Sequence, residues 1–308
     1  MKKLKDIAAG IVLYNPSDEI RFKAAFNSVI NQFSMVYIFD NSTRKVVLPM
    51  KSERVIYKTE HQNKGIAYAL NRIMELASQD GYEWVVTMDQ DSIIPISLVN
   101  EYFKRINIKN VGIICPQIID KRRKYEIPKQ ISADQYIQEC ITSGSCTSVK
   151  AWKKVGGFDE QLFIDLVDND FCKRIVLAGY KIIQMHNMVL NQEFGNITPK
   201  DDKIQNFWIK VSKILHNKNF AKLGYKKVVY PIRVYYTNRN ILYLNKKYKK
   251  YNGIGYSNYN TSNYLGFWIA FNLPSILRAK NKRKVVQAIY SGVRDGVKMK
   301  VKEWKPKL

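Results

Sequence analysis

The stretch VVTMDQDSIIP, residues 85–95, runs an apolar segment straight into two aspartates one residue apart. Val85, Val86 and Met88 suit a buried strand, whereas Asp89 and Asp91 must stay in water, bind a cation or lose much solvation energy. A strand that ends on two carboxylates predicts that something at this point of the fold uses negative charge.

Working outward, short apolar runs recur at IAAGIVLYN (7–15), MVYIFDNS (35–42), RVIYKTE (54–60), EWVVTMDQD (83–91) and NVGIICPQII (110–119), with helical patterns between them. This alternation predicts an α/β fold, a Rossmann-like, mostly parallel sheet flanked by helices. In GIAYALNRIMELAS (65–78), Ala67, Leu70, Met74 and Ala77 stand at helical spacing, so the segment reads as a helix with one buried face. Ligands of such sheets sit beyond the carboxyl ends of the strands. Asn15 follows the first run, Asp40 and Asn41 the second, and Asp89 and Asp91 the fourth. Each alone is an ordinary turn residue; together they predict a nucleotide crevice. No G-x-G-x-x-G or G-x-x-x-x-G-K-[ST] follows any of these strands, which weighs against dinucleotide and P-loop readings.

At 308 residues and 46% hydrophobic, the chain can bury a substantial core. Cys115, Cys140, Cys146 and Cys172 form no C-x-x-C pair and sit among apolar or small residues, so they read as reduced, packed thiols and favour the cytosol. The start MKKLKDIAAGIVLYNP imitates a signal peptide, but Asp6 interrupts it and no A-x-A-like site follows; it reads as a first buried strand. The later run YLGFWIAFNLPSIL (264–277) falls short of the roughly 20 residues needed to span a bilayer, so no transmembrane helix is expected.

The net charge of +25 is unevenly placed. Residues 201–308 hold 24 lysines and arginines against four carboxylates, residues 1–200 hold 27 against 22, and the strand–helix alternation stops near 200. Two regions are therefore expected, 1–200 for binding and chemistry and 201–308 as a basic, aromatic-rich helical extension. In YLNKKYKKYNGIGYSNYN (243–260) tyrosines alternate with lysines. Such a surface suits nucleic acid, an anionic membrane or plain solvent, and the aromatic apolar run beside it favours the membrane.

Two carboxylates spaced i and i+2 at a strand end suit a hard divalent cation, Mg²⁺ or Mn²⁺, which accepts carboxylate, water and phosphate oxygens together. A second acidic cluster, FDEQLFIDLVDNDF (158–171), holds Asp165, Asp168 and Asp170 ahead of a helical pattern. Asp168 reads as an N-cap with Asp170 in the first turn. A carboxylate held at a helix start can equally take a proton from a hydroxyl, and local pattern does not separate the two roles.

The pieces IVLYN (11–15), IFDNS (38–42), NKGIAYALN (63–71), MDQDS (88–92), SGSCTSVKAWKKVGGFDEQLFIDLVDNDFCKRIVLAGYKI (143–182) and YPIRVYYTNRNILYL (230–244) resemble glycosyltransferase family 2, and within it the bacterial rhamnosyltransferase-like branch. The resemblance spans about residues 7–245. It implies a GT-A fold, a nucleotide-sugar donor, a divalent metal and inversion at the anomeric carbon. By position, Asp40 is expected at the nucleotide base, Asn15 in the same pocket, and Asn63, Gly65 and Asn71 around it. The resemblance puts Asp91 on the metal, Asp89 at the ribose or the metal shell, and Asp168 at the catalytic aspartate.

Two positions depart from the family pattern. Val167 stands where relatives carry Glu before the catalytic aspartate, with Asp165 and Asp170 as nearby acids, and Gln192 in MVLNQEFG (188–195) stands where many carry a metal-touching histidine. His186 lies close in sequence, where a packing role is an equal reading. Arg233, Arg239 and Asn240 match the basic motif expected at the diphosphate or the acceptor, while a helix face beside lipid headgroups is an equal reading. His61 and His216 read as surface residues.

The expected donor is dTDP-rhamnose, with a UDP-hexose such as UDP-galactose or UDP-glucose as the alternative. The expected acceptor is a lipid-linked surface glycan on the inner face of a bacterial plasma membrane. A sugar-phosphate nucleotidyltransferase would need a Gly-rich basic loop after IVLYN, which is missing. A nucleic-acid-binding protein would leave the paired acids unexplained, so no nucleic-acid partner is expected.

Overall fold

The computed structural model describes residues 6–44, 46–128, 130–193, 195–254 and 256–306. It contains two compact units. The first runs through Ile119 and takes in Pro128–Gln192 and the end of the chain from Pro306; the second comprises Asp120–Ile127 and Glu193–Lys305.

The first unit is built on an eight-stranded sheet. The five strands expected from the sequence form as β1 (Ile7–Leu13), β2 (Val36–Asp40), β3 (Val55–Thr59), β4 (Trp84–Asp89) and β5 (Val111–Ile119). They are joined by β6 (Gln135–Ile137), β7 (Ser145–Ser148) and β8 (Lys181–Asn191), in the order β3-β2-β1-β4-β7-β5-β8-β6. Pairing is parallel from β3 to β4 and between β5 and β8. The short β7 lies antiparallel between β4 and β5, and β6 antiparallel on β8. β7, read as SCTS, has no apolar alternation, yet all four of its residues are buried because it fills the gap between two central strands. Pro116, which has no N–H to give, sits where the β5/β8 register shifts, the place in a central strand that tolerates it.

Register sets the strand ends level. Leu13 lies opposite Asp40, and Val12 opposite Asp89, so the carboxyl ends of β1, β2 and β4 open on one rim. Helices α1 (Glu19–Ile30), α2 (Ile66–Gln79), α3 (Leu98–Phe103), α4 (Val149–Val155) and α5 (Val167–Leu177) belong to this unit. Phe22, Phe26, Val29 and Ile30 of α1 pack with Ile11, Leu13, Ile38, Val86 and Met88 of the strands in one core. Ala67, Leu70, Met74 and Ala77 are buried on α2, as their spacing predicts. Asp18 caps α1 by accepting from Arg21 N at 2.9 Å, and Ser148 caps α4, which stops at Gly156 in the left-handed conformation, φ 83°.

The second unit carries a two-stranded ribbon, β9 (Ile197–Pro199) with β10 (Tyr225–Lys227), and α6 (Asp202–Ile214), α7 (Pro231–Lys247), α8 (Tyr264–Phe267), a π turn (Trp268–Asn272), α9 (Leu273–Arg278) and α10 (Lys282–Lys298). Pro231 begins α7 where its missing N–H has no partner to lose. Val234 of α7 packs with Val285 and Ile289 of α10, and Asn238 and Asn272 exchange two amide hydrogen bonds of 2.8 and 2.9 Å in full burial. Among the described residues no helix is long and apolar enough to cross a membrane.

Candidate active site

The rim above β1, β2 and β4 is stitched by side chains. Asp40 is wholly buried; its carboxylate accepts from Ser42 N at 2.8 Å, from Val46 N at 3.2 Å and from the Tyr57 hydroxyl. Burial and that bond push the Tyr57 phenol well above its ordinary range. Ser42 Oγ then accepts from Asn15 N at 2.7 Å, and Asn15 adopts φ 42°, a left-handed turn that asparagine tolerates. Tyr14 and Gln90 exchange bonds of 2.8 and 3.2 Å, linking the end of β1 to the turn between the two aspartates. Arg21 Nε donates to Asp91 O at 2.7 Å and fixes the same turn to α1.

Asp89 and Asp91 are both half-buried at this turn. Gln192 donates its amide N–H to Asp89 Oδ2, while its own Oε1 is buried without a hydrogen-bond partner. That orphaned oxygen tests whether the residues suit a cation. Among the described residues no three His, Cys, Asp or Glu side chains are grouped to hold one. An amide oxygen next to the Asp89 carboxylate nevertheless offers a hard-oxygen donor at the turn that also carries Asp91, the kind of ligand Mg²⁺ and Mn²⁺ take and softer metals do not. The residues therefore fit a divalent cation without histidine.

The second acidic cluster meets the first. The loop before β7 is held to β4 by Thr87 Oγ1 on Thr142 O at 2.6 Å and by Asp89 N on Ser143 Oγ at 3.3 Å. It presents the Thr142 side chain to Asp168 as a hydrogen-bond partner. Burial pushes the Asp168 carboxyl up to about 7; the negative charges of Cys140, Asp89 and Asp165 add to the shift, and the Thr142 bond opposes it. The group is thus near Asp89 and charged or neutral according to small changes around neutrality.

Helix α5 corrects the capping expectation. Leu166, not Asp168, is the N-cap, in the left-handed region at φ 63° beside Asp165 at φ 64°, and no side chain caps the helix. Two successive non-glycine residues in that region cost on the order of 1–3 kcal/mol each. Asp168 stands inside the first turn, where the helix dipole favours its charged form. Asp170 is withdrawn from the site: it is fully buried and paired with Arg174, whose Nε lies at 2.9 Å and whose Nη1 also reaches Val155 O at 3.0 Å. Expectation had made it supporting acid; a carboxylate at i and a guanidinium at i+4 explain its burial instead.

Asn63 Oδ1 accepts from Gly65 N at 3.0 Å, and Ile66 N donates to Phe163 O at 2.8 Å, so the start of α2 touches the loop that carries Asp165. Asn71 is committed to the scaffold behind the rim: its Nδ2 reaches Phe158 O at 3.0 Å and Glu160 at 2.7 Å, and its Oδ1 takes Phe158 N and Trp152 Nε1. His186 is tied to Asp134 through Nδ1 at 2.8 Å, and Asp134 also pairs with Arg105, an arrangement that holds β8 and serves packing. His61 and His216 are exposed. Arg233, Arg239 and Asn240 belong to α7 of the second unit; Arg239 stacks over Tyr236 at 4.8 Å and donates to Asn240 Oδ1 at 2.9 Å. Thr142, which touches Asp168, was missed in the sequence: a lone threonine before SGSC carries no local signal.

Residues 9–156 match the glycosyl transferase family 2 model. A dTDP-rhamnosyl transferase of Shigella flexneri, RfbF, is 26% identical over 264 residues, which cover 79% of this chain and 80% of that protein. A crystal structure of GalNAc-T7 with UDP, GalNAc and Mn²⁺ is similar in fold at a TM-score of 0.51 and 11% identity, over 61% of this chain and 44% of that one. The fold is that of GT-A glycosyltransferases. Within it, residues 9–156 match family 2 and the chain as a whole resembles a rhamnosyl transferase, in line with the resemblance that the sequence motifs carry.

Proposed function

We propose that the chain transfers L-rhamnose from dTDP-β-L-rhamnose to a hydroxyl of a growing glycan, with inversion to an α-L-rhamnoside. The observation that carries the reading is Asp168, a half-buried carboxyl raised to about 7 beside Asp89 and hydrogen-bonded by Thr142. A base of that strength is matched to removing a hydroxyl proton near neutral pH. The choice of rhamnose draws support from the Shigella relative, which resembles this chain over most of both lengths.

In this mechanism the rim formed by Asn15, Asp40 and Ser42 seats the nucleoside, with Asp40 fixing the loop rather than lying open. Asp168 accepts the acceptor hydroxyl proton as that oxygen attacks the anomeric carbon, and the bond to the nucleoside diphosphate breaks on the opposite face. Asp89, Asp91 and Gln192 would hold a divalent cation, whose charge when bound lowers the energy of the departing diphosphate.

Calorimetric titration of dTDP-rhamnose, UDP-glucose, UDP-galactose and UDP-galactofuranose, each with Mn²⁺ and with EDTA, tests the reading. Metal-dependent binding of dTDP-rhamnose alone is expected, lost in Asp91→Ala and kept in Asp168→Asn. Selective binding of a UDP-hexose replaces the sugar and keeps the chemistry; binding of none of the four overturns the proposal.

A further inference from the structure

The second unit exposes an apolar stripe that its own fold leaves uncovered. Leu265, Ile269, Leu273 and Leu277 are 68%, 53%, 37% and 65% exposed along the helical stretch from α8 through the π turn to α9. The opposite side of the stretch is apolar too: Phe267 is fully buried, and Phe271 and Ile276 are part-buried, the latter two packing with the α7–α10 core. Its polar Asn272 and Ser275 are turned inward and bonded to Asn238 and Phe271 O, so apolar residues stand on both the covered and the uncovered side, as in a helix set against lipid.

The π turn is what keeps the stripe straight. Four residues of α-helix turn about 400°, so a four-residue repeat drifts by roughly 40° a step. A π turn is wider by one residue and drifts the other way, so Trp268–Asn272 brings the residues before and after it back to one face.

Charge identifies the occupant. The stripe ends at Arg278, and Lys280, Lys282, Arg283 and Lys284 follow, the last four all exposed. No Asp or Glu occurs between residues 203 and 294. A second copy would bring the same positive surface against this one, whereas an anionic bilayer offers acyl chains to the leucines and headgroups to the lysines.

We infer that Leu265, Ile269, Leu273 and Leu277 form a membrane-docking face that lies in the plane of an anionic lipid surface, with the 278–284 segment at the headgroups. The inference is independent of which sugar is transferred. Donor binding in solution does not involve the stripe, so the two readings fail separately.

The full chain should co-sediment with vesicles of phosphatidylcholine containing about one third phosphatidylglycerol and not with phosphatidylcholine alone, and should release at about 0.5 M salt. Changing Leu265, Ile269 and Leu277 together to Gln should weaken partition by about tenfold or more, with donor binding unchanged. Vesicles brominated in the acyl chains should quench wild-type tryptophan fluorescence, and Trp268→Phe should remove most of that quenching; this holds even if the triple variant does not fold. No binding to anionic vesicles, equal binding to neutral ones, or full binding by a folded triple variant overturns the inference. A concentration-dependent dimer that the triple change abolishes, without vesicle binding, assigns the face to a second copy and overturns it as well.

Discussion

Gln192 gives its amide N–H to Asp89 while its carbonyl oxygen stays buried and unpaired. An unpaired buried oxygen costs about 1–3 kcal/mol, and a cation at Asp89 would relieve that cost. Gln192→Ala should therefore weaken Mn²⁺-dependent donor binding by about tenfold. Gln192→His should retain it and tilt preference from Mg²⁺ toward Mn²⁺, which accepts nitrogen more readily. Titration of donor at fixed concentrations of each metal reads both.

Asp168 gives a pH dependence with a definite sign. Transfer needs its carboxylate, so kcat/KM should rise with unit slope through about pH 7 and level off above it. Asp168→Asn should lower kcat by about 100-fold or more and flatten the acidic limb.

Stability should run the opposite way. A carboxyl whose value is raised in the folded chain favours folding only while protonated, so its contribution is present below the unfolded value and lost as pH rises toward 7. Asp168→Asn should match wild type near pH 4 and exceed it at pH 8 by about 1–2 kcal/mol, a figure reduced for partial solvent exposure. Thermal melts of both proteins across that range are the check.

Gly65 adopts φ 92°, and a Cβ there would meet Phe163 O at 2.6 Å and Phe163 Cα at 2.8 Å, both backbone atoms that cannot swing away. Gly65→Ala should cost about 2–4 kcal/mol in denaturant melts. Because Phe163 leads into the strained Asp165–Leu166 pair, kcat should fall further than donor affinity.

The Asn238–Asn272 pair should show coupling. Asn238→Leu alone leaves the Asn272 amide buried and unmatched, at about 1–3 kcal/mol, while the double change to Leu should recover much of the loss. A double-mutant cycle measured by urea unfolding gives the coupling energy directly.

The sheet was legible where apolar runs were bounded by turn residues: all five expected strands form, and the buried face of α2 follows its spacing. β7 was not legible, because its burial comes from the two strands around it rather than from its own side chains. The D-x-D turn and Asp168 could be named from motif order. Asp168's place in the first turn could not, since the chain enters α5 through left-handed Leu166, a conformation its side chain does not advertise. Asp170 misled because a buried ion pair with Arg174 looks, in one dimension, like any other acid in a cluster.

The position of β7 also has a consequence for synthesis of the chain. β4 and β5 are complete by Ile119, yet β7, the strand that lies between them, is Ser145–Ser148. Until that segment leaves the ribosome, β4 ends the growing sheet as an open edge and β5 has nothing to join, a state that invites pairing with a neighbouring nascent chain. Slow codons just after residue 119 would prolong that exposure, and slow codons beyond 180 would fall after the sheet has closed around β7.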